Sequence, residues 1–244
     1  MSFDPSKIRL HISNDLQERV VVPLTREQAH YLGNVMRRKE GESVWLFNGR
    51  EGEWRCELLA LGRKGGEALP VEQSAPQTDT PALTLFFAPI KRTPMEFLVQ
   101  KAVELGVTQL QPVLTERTTN RRMKEDRLLS IAIEAAEQSE RLDVPALLPA
   151  ISFVELLENL PVDYLIFCDE DDGMNAMAGV LTNQGEGSSW GILIGPEGGF
   201  SGAERHALQG NDRVIGVGLG PRILRAETAA IAALTIFQST LGDF

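Results

Sequence analysis

After residue 82 the chain is organised by five short, almost unbroken apolar runs, TLFFAP, LQPVL, YLIFCDE, WGILIG and RVIGVG. A strand that is apolar at every position has to be covered on both faces, and helices packed on either side of a parallel sheet are the usual cover. The stretches between the runs carry helix-start signals. Thr93 to Glu96 reads as a T-x-x-E capping box with Pro94 at the first helical position and Gly106 as the stop, and Ser152 to Glu155 and Ser201 to Glu204 repeat an S-x-x-E box. This alternation predicts an α/β fold with a mostly parallel sheet.

The first part of the chain has a different rhythm. Short apolar runs, VVPL, SVWLF and WRCELLAL, alternate with turn material, and Asn48-Gly49 between two of them is a hairpin signal. A small β-barrel is expected there. Its one helix should begin at the T-x-x-Q box Thr25 to Gln28 and run to about Arg37. EQSAPQTDTPA, from Glu72 to Ala82, has two prolines and no apolar period, so it reads as a linker. The expected division is a barrel domain over 1–73 and an α/β domain over 74–244.

No run approaches the length of a membrane span, and MSFDPSKIRLHIS lacks the basic-then-apolar order of a signal peptide, so a cytoplasmic protein with no membrane partner is expected. Cys56 and Cys168 lie far apart without a CxxC motif, and His11, His30 and His206 are scattered. Neither a disulfide framework nor a metal site is expected. The net charge of −10 argues against a nucleic-acid partner only if it is evenly spread. It is not: residues 128–244 carry five Lys and Arg against 17 Asp and Glu, so most of the basic residues lie before them. Such a bipolar chain can meet RNA with one face, or simply carry a solvated surface.

Two glycine-rich stretches close successive apolar runs. In WGILIGPEGGFSGAE, Gly195, Gly198 and Gly199 follow a strand end and Ser201 opens a helix; in RVIGVGLGPRILRAETAA, Gly216, Gly218 and Gly220 do the same before Pro221. Ligands of open α/β sheets sit beyond the carboxyl ends of the strands, where bare backbone permits close approach. Neither stretch matches a phosphate-binding loop, and turn-making alone is the plain alternative. The acidic surroundings favour a guest with an adenosine-like face and polar edges over a phosphate tail.

GPEGGFSGAE together with LGPRILRAETAA resembles the paired C-terminal motifs of the methyltransferases that modify N3 of a uridine in small-subunit (16S) ribosomal RNA, members of the SPOUT class. The resemblance extends through KRTPMEFLVQKAVELGV, AAEQSER, RLHIS and HYLGNVMRRKEGESVWLFNG, essentially the whole chain. It implies an N-terminal PUA-like β-barrel, a C-terminal trefoil-knotted α/β domain, S-adenosyl-L-methionine bound in the knot, and a homodimer. For that cofactor, contacts are expected from Ile194, Gly195, Pro196, Gly199, Gly218, Leu219, Ile223 and Leu224, with Gly198 and Gly220 making room.

Methylation of uridine N3 requires loss of a weakly acidic proton, so the site needs a base, or cations that stabilise the developing anion. Arg225 suits the second role; Glu197 and Glu227 are the nearest bases. Glu227 is equally suited to the N-terminus of the last helix, Glu197 to shaping its loop, and Arg225 to an ion pair. For RNA, the basic groups are Arg9, Arg37, Arg38 and Lys39, then Lys91 and Arg92, then Arg121, Arg122 and Lys124. Arg37 to Lys39 also fits an ordinary helix C-terminus, and Arg121 to Lys124 a solvated loop.

Overall fold

A computed structural model describes residues 7–169, 175–181 and 189–244. The chain divides into two compact units, Met1–Asp79 with Ala136–Val144, and Thr80–Ala135 with Pro145–Phe244. The expected boundary at residue 73 did not anticipate that 136–144 returns to the first unit.

The first unit contains β1 (Arg9–His11), β2 (Val22–Leu24), α1 (Arg26–His30), β3 (Ser43–Phe47), β4 (Glu53–Gly62) and β5 (Gly65–Ala75). They form one mixed sheet in the order β1-β3-β4-β5-β2, with β1 parallel to β3 and the other pairs antiparallel. The Asn48-Gly49 signal does join two strands. The loop is five residues long, because Asn48 Oδ1 accepts from the amides of Arg50 and Glu51 at 3.0 and 3.1 Å and so builds a wider turn. Glu72 to Ala75, read as linker, finish β5 by pairing back to β4. The core is aliphatic, with Leu10, Leu32, Val44, Leu46, Leu58 and Ala68 all buried.

The Thr25 box forms as expected, with both reciprocal bonds present. The helix it opens is shorter than the pattern suggested: after α1 the chain makes one wider π-type turn over Tyr31–Val35, and Arg37 takes φ of 56°. That left-handed residue ends the helix.

The second unit runs β6 (Leu83–Phe87), α2 (Arg92–Glu104), β7 (Gln109–Leu114), α3 (Glu125–Gln138), β8 (Ala146–Leu147), β9 (Ile151–Ser152), α4 (Phe153–Glu158), β10 (Tyr164–Cys168), β11 (Asn175–Ala176), α5 (Met177–Leu181), β12 (Trp190–Ile194), α6 (Gly202–Gln209), β13 (Val214–Gly218) and α7 (Ala226–Leu241). The last residues of α3, from Ala136 on, belong to the first unit. The sheet order is β11-β13-β10-β12-β6-β7-β8, with β9 also on β7, and every pairing is parallel. All five apolar runs are strands, and β6 and β12 are buried at every position.

Helices cover both faces. Leu193 joins Phe153 and Leu156 of α4 and Leu208 of α6 in one cluster, whereas Trp190 meets Phe237 of α7 with ring centroids 5.9 Å apart. Residues three apart on a strand point to opposite faces. The Ser152 and Ser201 boxes form with both bonds. The Thr93 box does not: α2 begins earlier, with Lys91 at the N-cap, because Arg92 takes the Glu96 carboxylate at 2.7 Å and Arg127 approaches it at 3.6 Å. No helix among the described residues is long and apolar enough to cross a membrane.

Candidate active site

Both glycine loops lie at the carboxyl ends of their strands, yet those strands are not neighbours, because β10 lies between β12 and β13. A cavity of about 530 Å³ opens there. One wall is Ile194, Gly195, Pro196, Glu197 and Gly199; the other is Leu219, Gly220, Ile223 and Leu224, with Arg225, Glu227 and Ala229 at the start of α7. Cys168 and Asp169, at the end of β10, contribute to the lining between the two loops.

The three expected catalytic residues line this one cavity, as do eight of the ten expected cofactor residues. Gly198 and Gly218 are not in the lining. The Gly198 carbonyl turns to Arg117, whose Nη1 donates to it at 2.7 Å, and Gly218 pairs with Ala176 inside the sheet. Gly199 has φ of 65° and its amide donates to the Pro196 carbonyl at 2.9 Å, closing a tight turn that a side chain would strain. Gly220 has φ of 103°. Both lie in left-handed backbone that favours glycine, Gly220 the more strongly.

Arg225 is the N-cap of α7 with its side chain making no cap bond, and Glu227 sits in the first turn. A carboxylate there is favoured by the helix dipole, so Glu227 serves the helix and faces the cavity at once. Glu197 has a second employment too: its Oε1 accepts from the Lys91 backbone amide at 3.3 Å and ties the β6–α2 loop to the glycine loop.

Cys168, Asp169 and Arg205 escaped the sequence reading. Asp169 is buried and pairs with Arg205 at 3.0 Å. The available signal was an acid directly after the buried run YLIFC, at a strand end where ligands gather. Burial and the neighbouring negative charge of Asp169 push the Cys168 thiol up to about 12, which disfavours its thiolate at neutral pH.

The expected RNA residues separate into groups. Arg37 and Lys39 are exposed and Arg38 is partly so. Lys91, Arg92, Arg121, Arg122 and Lys124 are exposed on the second unit, and Lys91 also lines the cavity. Arg9 is a correction. It is 6% exposed, its Nε donates to Glu53 at 2.5 Å, and its Nη atoms donate to the carbonyls of Ala136, Glu137 and Arg141 at 3.0, 2.9 and 2.7 Å. Its guanidinium also lies 4.5 Å from the centroid of the Phe47 ring. Arg9 holds the first unit together and is closed to RNA. Burial alone would raise the Glu53 carboxyl, but bonds from Lys7, Arg9 and Ser74 and the charge of Arg9 outweigh it and hold that carboxyl below its ordinary value.

One unit is a parallel α/β sheet with a glycine-walled cavity at the carboxyl ends of its strands and the other a small mixed sheet, and the family models that match them are those of RNA methyltransferases. The profile described as RNA methyltransferase domain matches residues 77–238, and that of the RNA methyltransferase PUA domain matches residues 24–70. Ribosomal RNA small subunit methyltransferase E of Rickettsia conorii is 31% identical over 93% of each chain, and that of Bacillus subtilis is 32% identical over 90% of each. Among solved structures, the Neisseria gonorrhoeae enzyme of that name bound to S-adenosyl methionine superposes with a TM-score of 0.87 at 31% identity, covering 98% of this chain and 99% of the other. A putative methyltransferase from Legionella pneumophila in complex with its cofactor SAM gives 0.89 at 28% identity, with the same coverage. The chain belongs to the ribosomal RNA small subunit methyltransferase E family.

Proposed function

We propose that this protein transfers a methyl group from S-adenosyl-L-methionine to N3 of a uridine in 16S ribosomal RNA. The observation that carries the reading is the single cavity that gathers both glycine loops with Arg225 and Glu227. Its size suits a nucleoside cofactor, and its chemistry fits one. Loop backbone would meet the adenine edges, Asp169 would accept from ribose hydroxyls, and cations of the lining other than Arg225 would meet the amino-acid carboxylate. The bound cofactor supplies an electrophilic methyl carbon on sulfonium sulfur. The protein aligns N3 with that carbon and controls the proton. Arg225 stabilises negative charge spreading onto the uracil oxygens, and Glu227 or Glu197 accepts the N3 proton; the engagement of Glu197 with Lys91 favours Glu227.

RNA is held by Arg37, Lys39 and the partly exposed Arg38 of the first unit and by the exposed Lys91, Arg92, Arg121, Arg122 and Lys124 of the second. The protein works in the cytoplasm as a homodimer, and the C-terminal segment threads the trefoil knot of its class. Support for the knot comes from the insertion of β10 between β12 and β13; light scattering tests the dimer. A nucleotide- or NAD-dependent enzyme on the same sheet would bind ATP or NAD instead. Calorimetry with S-adenosylmethionine, ATP and NAD therefore tests the cofactor. Arg225→Leu and Glu227→Gln should leave its Kd within threefold while lowering kcat by about a hundredfold or more; unchanged kcat in both removes their roles.

A further inference from the structure

Behind the cavity wall, the turn Thr115–Thr118 is wired to the glycine loop. Thr118 Oγ1 accepts from the Thr115 amide at 3.0 Å and meets Thr115 Oγ1 at 2.8 Å, both residues being buried, so the turn is locked. It presents the Glu116 amide to Glu204 Oε1 at 2.7 Å and the Arg117 guanidinium to the Gly198 carbonyl at 2.7 Å. Glu204 is 6% exposed, and its second oxygen accepts from the Ser201 amide at 2.8 Å. One buried carboxylate thus joins two loops. Asn120 Nδ2 donates to the Ile90 carbonyl at 2.7 Å, and Glu197 ties Lys91 from the other side. The segment after β7, the loop after β6 and the loop after β12 close a ring of side-chain-to-backbone bonds.

A turn built of Pro196, Glu197, Gly198 and Gly199 has few side chains of its own to hold it, and glycine is the residue with most freedom to lose. A turn that lines a ligand cavity has to be held from elsewhere if it is to bind without reordering. We infer that Arg117 and Glu204 are positioning residues, which fix the Pro196–Gly199 turn in its binding shape from outside the cavity. Neither role is one that the sequence motifs announce. Arg117 acts through the Gly198 carbonyl, and Glu204 acts through Glu116 and its own helix cap. The inference deepens the proposed function and rests on it for the ligand.

The test uses the full chain with Arg117→Ala, Arg117→Lys and Glu204→Gln. S-adenosylmethionine affinity is measured by calorimetry, exchange of the Gly199 amide by NMR in the ligand-free protein, and KM separately for cofactor and RNA. Arg117→Ala should raise the cofactor Kd about three- to tenfold, as removal of one partly solvated charged hydrogen bond requires, and speed Gly199 exchange at nearly unchanged melting temperature. Arg117→Lys should recover most of the affinity. Glu204→Gln keeps one acceptor oxygen where two are used, and should act in the same direction. If Arg117→Ala raises only the KM for RNA, with cofactor Kd and Gly199 exchange unmoved, Arg117 binds RNA directly and the inference is overturned. If the wild type binds no S-adenosylmethionine, the functional reading falls, and the exchange of Gly199 still decides whether Arg117 and Glu204 hold the turn.

Discussion

Replacing Arg9 with alanine should destabilise the first unit severely. The side chain donates to Glu53 and to three carbonyls of the segment Ala136–Arg141, all in a place almost closed to water. Removing one partner of a buried ion pair costs about 3–5 kcal/mol, because the remaining charge and the freed carbonyls are left without compensation. Glu53 retains Lys7 at 2.7 Å and Ser74 at 2.8 Å, which puts the expectation at the lower end, about 3 kcal/mol. Urea unfolding followed by fluorescence in a Trp190→Phe background reads the first unit, since Trp45 and Trp54 belong to it and Trp190 to the second, while far-UV circular dichroism follows the whole chain. The midpoint should fall at nearly constant slope, and Arg9→Lys should recover part of the stability by keeping a charge. An Arg9→Ala protein within about 0.5 kcal/mol of wild type, but with weakened RNA binding, would refute the structural role and return Arg9 to the RNA surface.

The same pair sets a pH dependence: the Glu53 carboxyl lies below its ordinary value of 4.5 in the folded chain, so its contribution is complete above that pH and is lost as pH falls through the lowered value. Glu53→Gln should therefore flatten the acid limb of a stability–pH curve, and an unchanged limb would contradict the pairing. Gly199→Val forces a branched side chain to φ of 65° and should weaken S-adenosylmethionine binding more than tenfold in a folded protein, whereas Gly202→Ala, with open space around it, should not change it; calorimetry separates the two. Cys56 and Cys168, both pushed up to about 12 by burial, should resist iodoacetamide at pH 7.4 over hours in the native state, as mass spectrometry would show. Arg37→Glu with Arg38→Glu should weaken RNA binding and make it less sensitive to salt, the slope falling by about one for each phosphate no longer neutralised, with cofactor affinity unchanged.

The strands of the second unit were legible because burial on two faces writes itself as continuous apolar residues, as in LTLFF and WGILI. The serine boxes were legible because their chemistry is local. Thr93 to Glu96 misled for a related reason: a box needs a free carboxylate, and Arg127, 31 positions away, helps to occupy Glu96. Arg9 misled more deeply, since its partners lie up to 132 positions on, where no local pattern refers to them. Among the site residues, those on glycine loops were readable from conformational need. Asp169 and Arg205 were not, because their meeting depends on β10 entering the sheet between β12 and β13.

The most direct measurement is transfer of labelled methyl from S-adenosylmethionine to small ribosomal subunits taken from a strain lacking this activity, followed by nucleoside analysis of the 16S RNA. One labelled nucleoside, N3-methyluridine, should be formed by the wild-type chain and be absent with Arg225→Leu. No label in RNA, or label on another atom or base, would contradict the proposed reaction.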